Sequence, residues 1–301
     1  MLSLKSALEF REPQLEDAEW MAPLLRQSGY MSCEYSFTTI YMWRKHYRNR
    51  IAYHGDTLFV KSQEGEESSY LMPVGGVLEE NIRLLQAYAH DQGYPLKLYG
   101  TDVSMIPQLE ALFPGKFRFV PSRNDFDYVY NTVDLAQLTG KKYHGKRNHI
   151  NSFSAKFQWQ YERITAANCD EVIAMAREWC RLKGNCAEKS LQSENCAIRE
   201  VLAHREALSV TGGLIRVDGK VVAFTFASPI NDEVVDIHVE KALPDYPGAY
   251  TVINREFAAR ELEGYRYINR ENDLGIEGLR KAKESYNPAF LLEKFVCIET
   301  V

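Results

Sequence analysis

Between Tyr265 and Pro288 the chain reads YRYINRENDLGIEGLRKAKESYNP, a segment with a strand signal followed by a helix signal. Apolar and polar residues alternate through Ile268, which predicts a strand. The apolar stripe over Ile276–Ser285 predicts a helix that ends before Pro288. The run Asn269–Asp273 between them has no apolar member. Because ligands in open α/β sheets bind beyond the carboxyl ends of strands, this run predicts a substrate-binding loop, although a solvated turn has a similar composition.

The candidate substrate-binding residues of this loop are Asn269, Arg270, Glu271 and Asp273. A related segment occurs earlier in the chain. Gly93–Asp102 and Gly264–Asp273 both begin Gly-Tyr, continue as a strand and reach Asp at the same distance. A hairpin signal lies upstream of each copy, Gly55-Asp56 in the first and Asp218-Gly219 in the second. The shared order is strand, two helices, hairpin, strand, helix, strand, helix and strand, which indicates an internal repeat.

The repeat predicts an α/β fold of two similar domains. We expect an N-terminal domain over 1–125, a connecting strand and basic helix over 126–157, and a C-terminal domain over 158–301. No Gly/Ser/Pro-rich linker separates the halves, so we expect them to pack together. The strand end Tyr99–Asp102 in the first copy has few polar side chains, which places the site in the second copy.

Composition and charge narrow the class of protein. The chain has 301 residues, of which 45% are hydrophobic and 26% charged, with a net charge of −5, as in ordinary soluble globular proteins. No window approaches the ~18 consecutive apolar residues of a membrane span, and the first residues lack a secretory core, so we expect a cytoplasmic location. The six cysteines form no Cys-x-x-Cys pair, and we predict no disulfide framework and no metal site. The oligomeric state is left open.

Two further segments carry a family signal together with the repeated order: Gly140–Phe153, GKKYHGKRNHINSF, and Leu279–Pro288, LRKAKESYNP. The order resembles the GNAT acyltransferase fold, and its doubling resembles the tandem GNAT aminoacyl transferases. More narrowly, the chain is similar to the bacterial family of the phosphatidylglycerol lysyltransferase carboxyl-terminal domain, also known as DUF2156. The resemblance implies two tandem GNAT-like domains with mixed sheets flanked by helices. It also implies transfer of an aminoacyl group from aminoacyl-tRNA to an amine or hydroxyl acceptor, a small molecule or a peptide.

Two features depart from the lysyltransferases. Those enzymes carry Asp-x-x-Arg on the strand that matches Val235–Lys241, where this chain has Asp236 but Val239. They also carry a large membrane part, which has no counterpart in this sequence. The resemblance therefore leaves the amino acid and the activity open, and it does not imply a lipid acceptor.

Alternation along Val235–Lys241 predicts that Asp236, His238 and Glu240 share one face of a strand. In GNAT-type folds the matching strand borders the acyl-transfer site. The resemblance therefore implies that Asp236 or Glu240 is the catalytic base and that His238 contacts the substrate, because a base must lie within hydrogen-bond reach of the proton it removes. The alternatives are a sheet edge that faces water and an internal ion pair.

The predicted helix after the loop contributes Lys283, Tyr286 and Arg280. Lys283 and Tyr286 lie three residues apart and therefore on neighbouring faces. Charge-assisted donors aimed at a developing oxyanion have a large catalytic effect. We predict Lys283 as a catalytic residue that holds the acyl carbonyl, with Tyr286 and Arg280 binding the substrate. In the alternative, Lys283 is a solvated helix residue and Tyr286 packs on the next strand.

The segment Gly140–His149 contains Lys141, Lys142, Lys146 and Arg147 and no acidic residue. Phosphate contacts dominate nucleic-acid affinity and need no sequence pattern, so this segment suits the backbone of a tRNA acceptor stem. We expect that reversal of Lys146 and Arg147 to Glu weakens tRNA binding. The alternative is a solvated linker helix that balances neighbouring acids.

The loop Leu243–Tyr250 leads into the helix whose start, in coenzyme-A-dependent GNAT enzymes, receives the pyrophosphate. It offers Gly248 and Ala249 in place of the Arg/Gln-x-x-Gly-x-Gly/Ala pattern of those enzymes. A coenzyme-A-dependent N-acyltransferase that uses acetyl-coenzyme A is therefore the second hypothesis, and we assign Tyr250 to substrate binding. The third hypothesis is a non-catalytic ligand-binding or interaction protein on the same fold.

Overall fold

The computed structural model describes residues 8–182 and 189–300. The first part contains α1 (Ala18–Gln27), α2 (Phe37–Met42), β1 (Arg50–His54), β2 (Thr57–Glu64), β3 (Glu67–Tyr70), α3 (Leu78–Asp91), β4 (Lys97–Asp102), α4 (Ile106–Leu112) and β5 (Phe117–Pro121). It is followed by β6 (Asp127–Asn131), α5 (Thr132–Gln137) and α6 (His144–Lys156). The last part contains β7 (Trp159–Arg163), α7 (Cys169–Leu182), α8 (Lys189–Ala203), β8 (Thr211–Val217), β9 (Lys220–Pro229), β10 (Val234–Ala242), α9 (Ala249–Glu261), β11 (Tyr267–Asn269), α10 (Glu277–Glu284), β12 (Phe290–Leu292) and β13 (Lys294–Glu299).

Two mixed sheets flanked by helices form the framework, which confirms the predicted α/β class. The first sheet has the strand order β1-β2-β3-β4-β13-β5, and the second has β12-β6-β11-β10-β9-β8-β7. The pairs β3–β4 and β10–β11 are parallel. Parallel neighbours need a crossover connection, which α3 and α9 provide in equivalent places of the two sheets.

The two sheets exchange strands. β13, near the carboxyl end of the chain, lies between β4 and β5 in the first sheet, whereas β6 lies between β12 and β11 in the second. Strand membership therefore crosses the divisions predicted at 125 and 157, and the domain boundaries stay a prediction. The exchange brings the start of β13 and the start of β6 together between the sheets.

Local signals account for the elements next to the site. Asp218 and Gly219 both have positive φ, 47° and 81°, as a two-residue turn between twisted strands requires, and they join β8 to β9. Helix α9 packs against α5 and α6 on one side and the second sheet on the other. It therefore buries apolar residues such as Val252 and Phe257 around most of its surface.

No helix within the described ranges 8–182 and 189–300 combines the length and the apolar character that crossing a membrane requires.

Candidate functional site

Strands β10 and β11 separate at the candidate loop. They pair only as far as Asp236 and Asn269, after which β10 continues to Ala242 and the chain of β11 turns away. The run Asn269–Asp273 thus lies at the carboxyl end of β11, where that strand separates from β10, and ligands in open α/β sheets bind beyond such strand ends. The separation divides the predicted site residues into two groups.

A bulge at His238 determines this division. The pairing of β10 with β9 shifts by one residue between Ile237 and Val239, and an extra residue reverses the facing of the side chains beyond it. Glu240 consequently contacts α9, whereas Asp236 and His238 face α2. The prediction that all three share one face is therefore wrong for Glu240, because the sequence alternation contains no sign of the bulge.

On the α2 side, the buried Asp236 and His238 form a cluster with the partly exposed Glu271. Nδ1 of His238 lies 3.4 Å from Oδ2 of Asp236 and 3.6 Å from Oε1 of Glu271. Nε2 of His238 lies 2.7 Å from the hydroxyl of Ser228, and the hydroxyl of Thr39 lies 3.3 Å from Oδ2 of Asp236. The predicted catalytic Asp236 is thus brought together with the predicted substrate-binding His238 and Glu271.

The carboxylates of Asp236 and Glu271 have few hydrogen-bond donors around them and no lysine or arginine within ion-pair distance in the described part of the chain. Burial raises the pKa of Asp236 well above its usual value, and the nearby carboxylates of Glu271 and Asp127 raise it further. Oδ1 of Asp236 and Oε1 of Glu271 are buried and have no hydrogen-bond partner within the described part of the chain. Glu271 has a left-handed backbone with φ of 54°, which is sparsely populated and strained for such a residue.

On the α9 side, Glu240 forms an ion pair. Nη2 of Arg270 lies 2.8 Å from Oε1 of Glu240, and Asn254 donates to the other oxygen at 2.9 Å. Two cations lie over the buried Tyr286 ring, Arg270 at 4.7 Å and Lys146 at 3.4 Å from its centroid. The alternative of an internal ion pair therefore describes Glu240.

Lys283 is buried beneath the loop and is not a free donor in this structure. Its ammonium donates to the backbone carbonyls of Arg270, Glu271 and Asn272. A lysine has three N–H donors, so this arrangement uses all of them. The geometry places Lys283 as a residue that positions the loop, rather than as the predicted holder of an acyl carbonyl.

Asp273 and Arg280 form a second support for the loop. Arg280 donates from Nε and Nη2 to the two carboxylate oxygens of Asp273, at 2.8 and 3.0 Å, and Tyr128 donates at 2.7 Å. These hydrogen bonds, that of Arg280 foremost, hold the pKa of Asp273 well below its usual value. Both residues are predicted to bind substrate, but in this structure their side chains bind each other.

A third polar group, which the sequence reasoning missed, joins the two sheets. Lys294 is 1% exposed, and its ammonium lies 2.7 Å from both Asp127 and Glu34. Asn269, predicted to bind substrate, donates to Asp127 at 2.8 Å and to the carbonyl of Met31 at 3.0 Å. No local signal identifies this group, because its members lie far apart in the sequence.

In the basic segment Gly140–His149, two of the four cations form contacts within the protein and the other two are more accessible. Arg147 donates to the carbonyls of Leu138 and Gly140, at the end of α5. Lys146 donates to Ser285, and burial, together with the nearby Arg270, lowers the pKa of Lys146 to about 8. The exposed side chains are those of Lys141 and Lys142, of which Lys142 pairs with Asp134.

Helix α6 covers the start of α9. Gly248 has φ of 99°, and a Cβ built on it lies 2.8 Å from the backbone oxygen of His149 and 3.1 Å from Cβ of Phe153. The N–H of Ala249 already donates to the carbonyl of Tyr246. Tyr250, in the first turn of α9, is partly exposed and accepts a hydrogen bond from Trp179.

The sequence and fold match known proteins over nearly the whole chain. The family model for the carboxyl-terminal region of phosphatidylglycerol lysyltransferase matches residues 25–298. The chain is 23% identical over 176 residues to an uncharacterized protein of Mycoplasmoides gallisepticum, a match that covers 56% of this chain and 55% of that protein. It thus spans about half the length of this curated relative.

Solved structures with the same fold include a conserved protein of unknown function from Bacteroides thetaiotaomicron. It is 40% identical, with a TM-score of 0.93, and the match covers 97% of this chain and 100% of that one. The structure of L-PGS from Bacillus licheniformis is 17% identical, with a TM-score of 0.68, and the match covers 96% and 93% of the two chains. At that identity the likeness shows the fold, and it confirms the predicted tandem GNAT-like architecture.

Proposed function

This chain belongs to the family of the phosphatidylglycerol lysyltransferase carboxyl-terminal region, and from that premise we propose that it transfers an aminoacyl group from aminoacyl-tRNA to an amine or hydroxyl acceptor. The family name supports aminoacyl transfer as the type of reaction. Val239, which replaces the arginine of the lysyltransferases, is buried opposite Phe226. The donor amino acid therefore need not be lysine.

The observation that carries the proposal is the cover that α6 forms over the start of α9. In coenzyme-A-dependent enzymes of this fold the same helix start receives the pyrophosphate. Here the backbone of His149 stands where even a methyl group on Gly248 does not fit. This crowding disfavours coenzyme A as the donor. It supports a donor whose phosphates bind to another part of the protein surface.

The accessible lysines before α6 offer such a phosphate contact. Lys141 and Lys142 precede the helix, whereas Lys146 and Arg147 within it contact Ser285 and the end of α5. Electrostatic contacts to a nucleic-acid backbone need exposed cations, not a sequence pattern. We therefore expect the acceptor stem of tRNA to contact this segment, which adjoins Tyr286 and the separated strands.

The reaction also needs titratable groups where the acceptor attacks. An amine or hydroxyl loses a proton as it attacks the ester carbonyl, and a group within hydrogen-bond reach must assist. Where β10 and β11 separate, Asp236 and Glu271 each have a buried carboxylate oxygen without a hydrogen-bond partner in the described part of the chain, and His238 lies beside both. Glu240, the other predicted base, is neutralised by Arg270.

A transfer assay tests the proposal. Total bacterial tRNA is charged with a mixture of radiolabelled amino acids and incubated with the protein and a pool of small amines, peptides and lipids. We expect label to leave the acid-precipitable tRNA and appear in an acceptor, about 10-fold or more slowly with Glu271→Gln, which removes a charge at the reacting centre. The matched control is Glu277→Gln, an exposed glutamate on α10. Transfer from acetyl-coenzyme A, without any from tRNA, contradicts the proposal.

Binding of tRNA is measured separately. Reversal of both Lys141 and Lys142 to Glu should lower the affinity for charged tRNA and reduce the salt slope by about 2, because each lost phosphate contact releases about one counterion fewer. Reversal of Lys116 and Arg118, exposed residues at β5 in the first sheet, is the control. Equal affinity of both double variants speaks against this surface as the tRNA site.

A further inference from the structure

We propose that Asp236, His238 and Glu271 bind one divalent transition-metal ion, with Zn²⁺ the expected occupant. The proposal goes beyond aminoacyl transfer, since it concerns what the cluster holds and is measured without any reaction. One ligand atom from each of these residues lies within 4.8 Å of the other two. The three residues come from β10 and from the loop after β11, so two separate parts of the chain supply the ligands.

The two distances from Nδ1 of His238 fit those between ligands of one metal ion. Nδ1 of His238 lies 3.4 Å from Oδ2 of Asp236 and 3.6 Å from Oε1 of Glu271, which is long for a direct hydrogen bond. Two ligands at ~2.0–2.2 Å from a tetrahedral ion stand ~3.3–3.6 Å apart. An ammonium group, with contacts of ~2.8 Å at tetrahedral angles, would set its acceptors ~4.6 Å apart.

Unpartnered buried oxygens give an independent reason for a cation. The Asp236 side chain has no exposed surface, yet its Oδ1 has no hydrogen-bond partner within residues 8–182 and 189–300, and Oε1 of Glu271 has none either. Over the same ranges, neither carboxylate is within ion-pair distance of a lysine or arginine. Buried charges are paired or coordinate metals.

The neighbouring acidic group shows the contrast. Cys33, Glu34 and Asp127 also lie close enough to share an ion, but the ammonium of Lys294 occupies their centre. A lysine there supplies the compensating charge. The cluster around His238 lacks such a residue within the described chain, so its compensation has to come from a bound cation or from protonation.

The surroundings prepare the ligands. Nε2 of His238 lies 2.7 Å from the hydroxyl of Ser228, and the tautomer that donates to this hydroxyl leaves the lone pair of Nδ1 for a metal, as in the outer shells of known sites. Lys283 fixes the backbone around Glu271 through three carbonyls. These contacts hold the ligating side chains in place before any ion arrives.

The donor set indicates the class of metal. One imidazole nitrogen with two carboxylates suits Zn²⁺ or Mn²⁺ better than Ca²⁺ or Mg²⁺, which prefer oxygen ligands alone. Three protein ligands leave a coordination position for water or a substrate oxygen. The absence of a metal site was predicted from the spacings of the cysteines, and no spacing pattern links residues 236 and 238 to residue 271.

The test is a titration of the whole protein after removal of metals with a chelator and dialysis. We expect calorimetry with ZnCl₂ to show one equivalent bound, and each of Asp236→Asn, His238→Ala and Glu271→Gln to weaken binding by about 10-fold or more. His204→Gln and Glu277→Gln, both at exposed positions, are the matched controls. Circular dichroism verifies that each variant is folded.

A second measurement uses the unaltered protein alone. Co²⁺ bound at this cluster should give visible d–d absorption that one equivalent of Zn²⁺ abolishes. Absence of stoichiometric binding in the unaltered protein overturns the proposal, and so does binding that survives in folded His238→Ala and Glu271→Gln. Transfer activity in a protein that binds no metal would mean that this inference fails while the proposed function stands, and metal binding without transfer would mean the reverse.

Discussion

At the scale of single residues, two lysines on α10 show how burial changes the role of a side chain. Lys281 is exposed and pairs with Glu277 one turn away, whereas Lys283 is 8% exposed and donates to three backbone carbonyls. The sequence presents both as cations on one helix. Only the second is tied to the loop that carries Arg270 and Glu271.

Lys283→Met should therefore destabilise the protein by about 2–4 kcal/mol, because it leaves buried carbonyl oxygens without donors. Lys281→Met should stay within about 0.5 kcal/mol, since exposed helix pairs contribute little. Urea unfolding followed by circular dichroism measures both. Equal stability of the two variants would show that the three carbonyls find other donors.

Asp273 gives a prediction for pH. Its carboxylate accepts from Arg280 and Tyr128, and these hydrogen bonds depress its pKa in the folded protein. A carboxyl group whose pKa is depressed by folding stabilises the protein at pH values above its pKa in the unfolded chain, about 3.9. This stabilisation is lost as the pH falls through the pKa of the group in the folded protein. Asp273→Asn should lower the Tm by about 3–6 °C at pH 7, and its difference from the unaltered protein should shrink below about pH 5. A pH-independent difference in melting curves contradicts this account.

At the scale of elements, the contact between α6 and α9 leaves no room for a side chain at Gly248. Gly248 allows α6 to cross the start of α9 because it has neither a Cβ nor a penalty for its φ of 99°. The same crossing places Lys146 over Tyr286. One glycine thus connects the packing of two helices to the surface proposed for the donor.

Gly248→Ala should destabilise the protein by about 2 kcal/mol or more, since the new methyl group meets the backbone of His149 in a strained conformation. Gly264→Ala is the matched control, because a Cβ there contacts nothing and Gly264 has no positive φ. Thermal unfolding compares them. If the two variants melt together, α6 moves away from α9 at little cost, and the start of α9 has room for the pyrophosphate of coenzyme A.

At the scale of the whole molecule, the exchange of β6 and β13 joins the two sheets through one buried cation. Burial alone lowers the pKa of Lys294, but Asp127 and Glu34 outweigh it and hold that pKa well above its usual value. Lys294 begins β13 of the first sheet and Asp127 begins β6 of the second. Their contact fixes the sheets relative to each other beside the cluster at Asp236.

Lys294→Met should cost about 3–5 kcal/mol, because it leaves two carboxylates buried without a cation. The double variant with Asp127→Asn should recover part of that loss, since it removes one of the stranded charges. Denaturant unfolding of the single and double variants measures the coupling. Strictly additive effects would show that the two residues do not act as a pair.

Much of the architecture follows from the sequence, because it depends on local patterns. The hairpin at Asp218-Gly219 lies where its turn residues indicated. The strand before the loop was predicted over Tyr265–Ile268 and is observed over Tyr267–Asn269. The polar run after it lies at the carboxyl end of β11, where that strand separates from β10.

The sequence by itself determined the α/β class, the repeat and the loop that carries Arg270 and Glu271, because periodicity and turn chemistry are properties of neighbouring residues. Tertiary structure alone decided which of the predicted residues meet. The bulge at His238 separated Glu240 from Asp236, and the exchange of strands set Lys294 beside Asp127. Such contacts depend on pairing between distant segments, whose geometry no local spacing encodes.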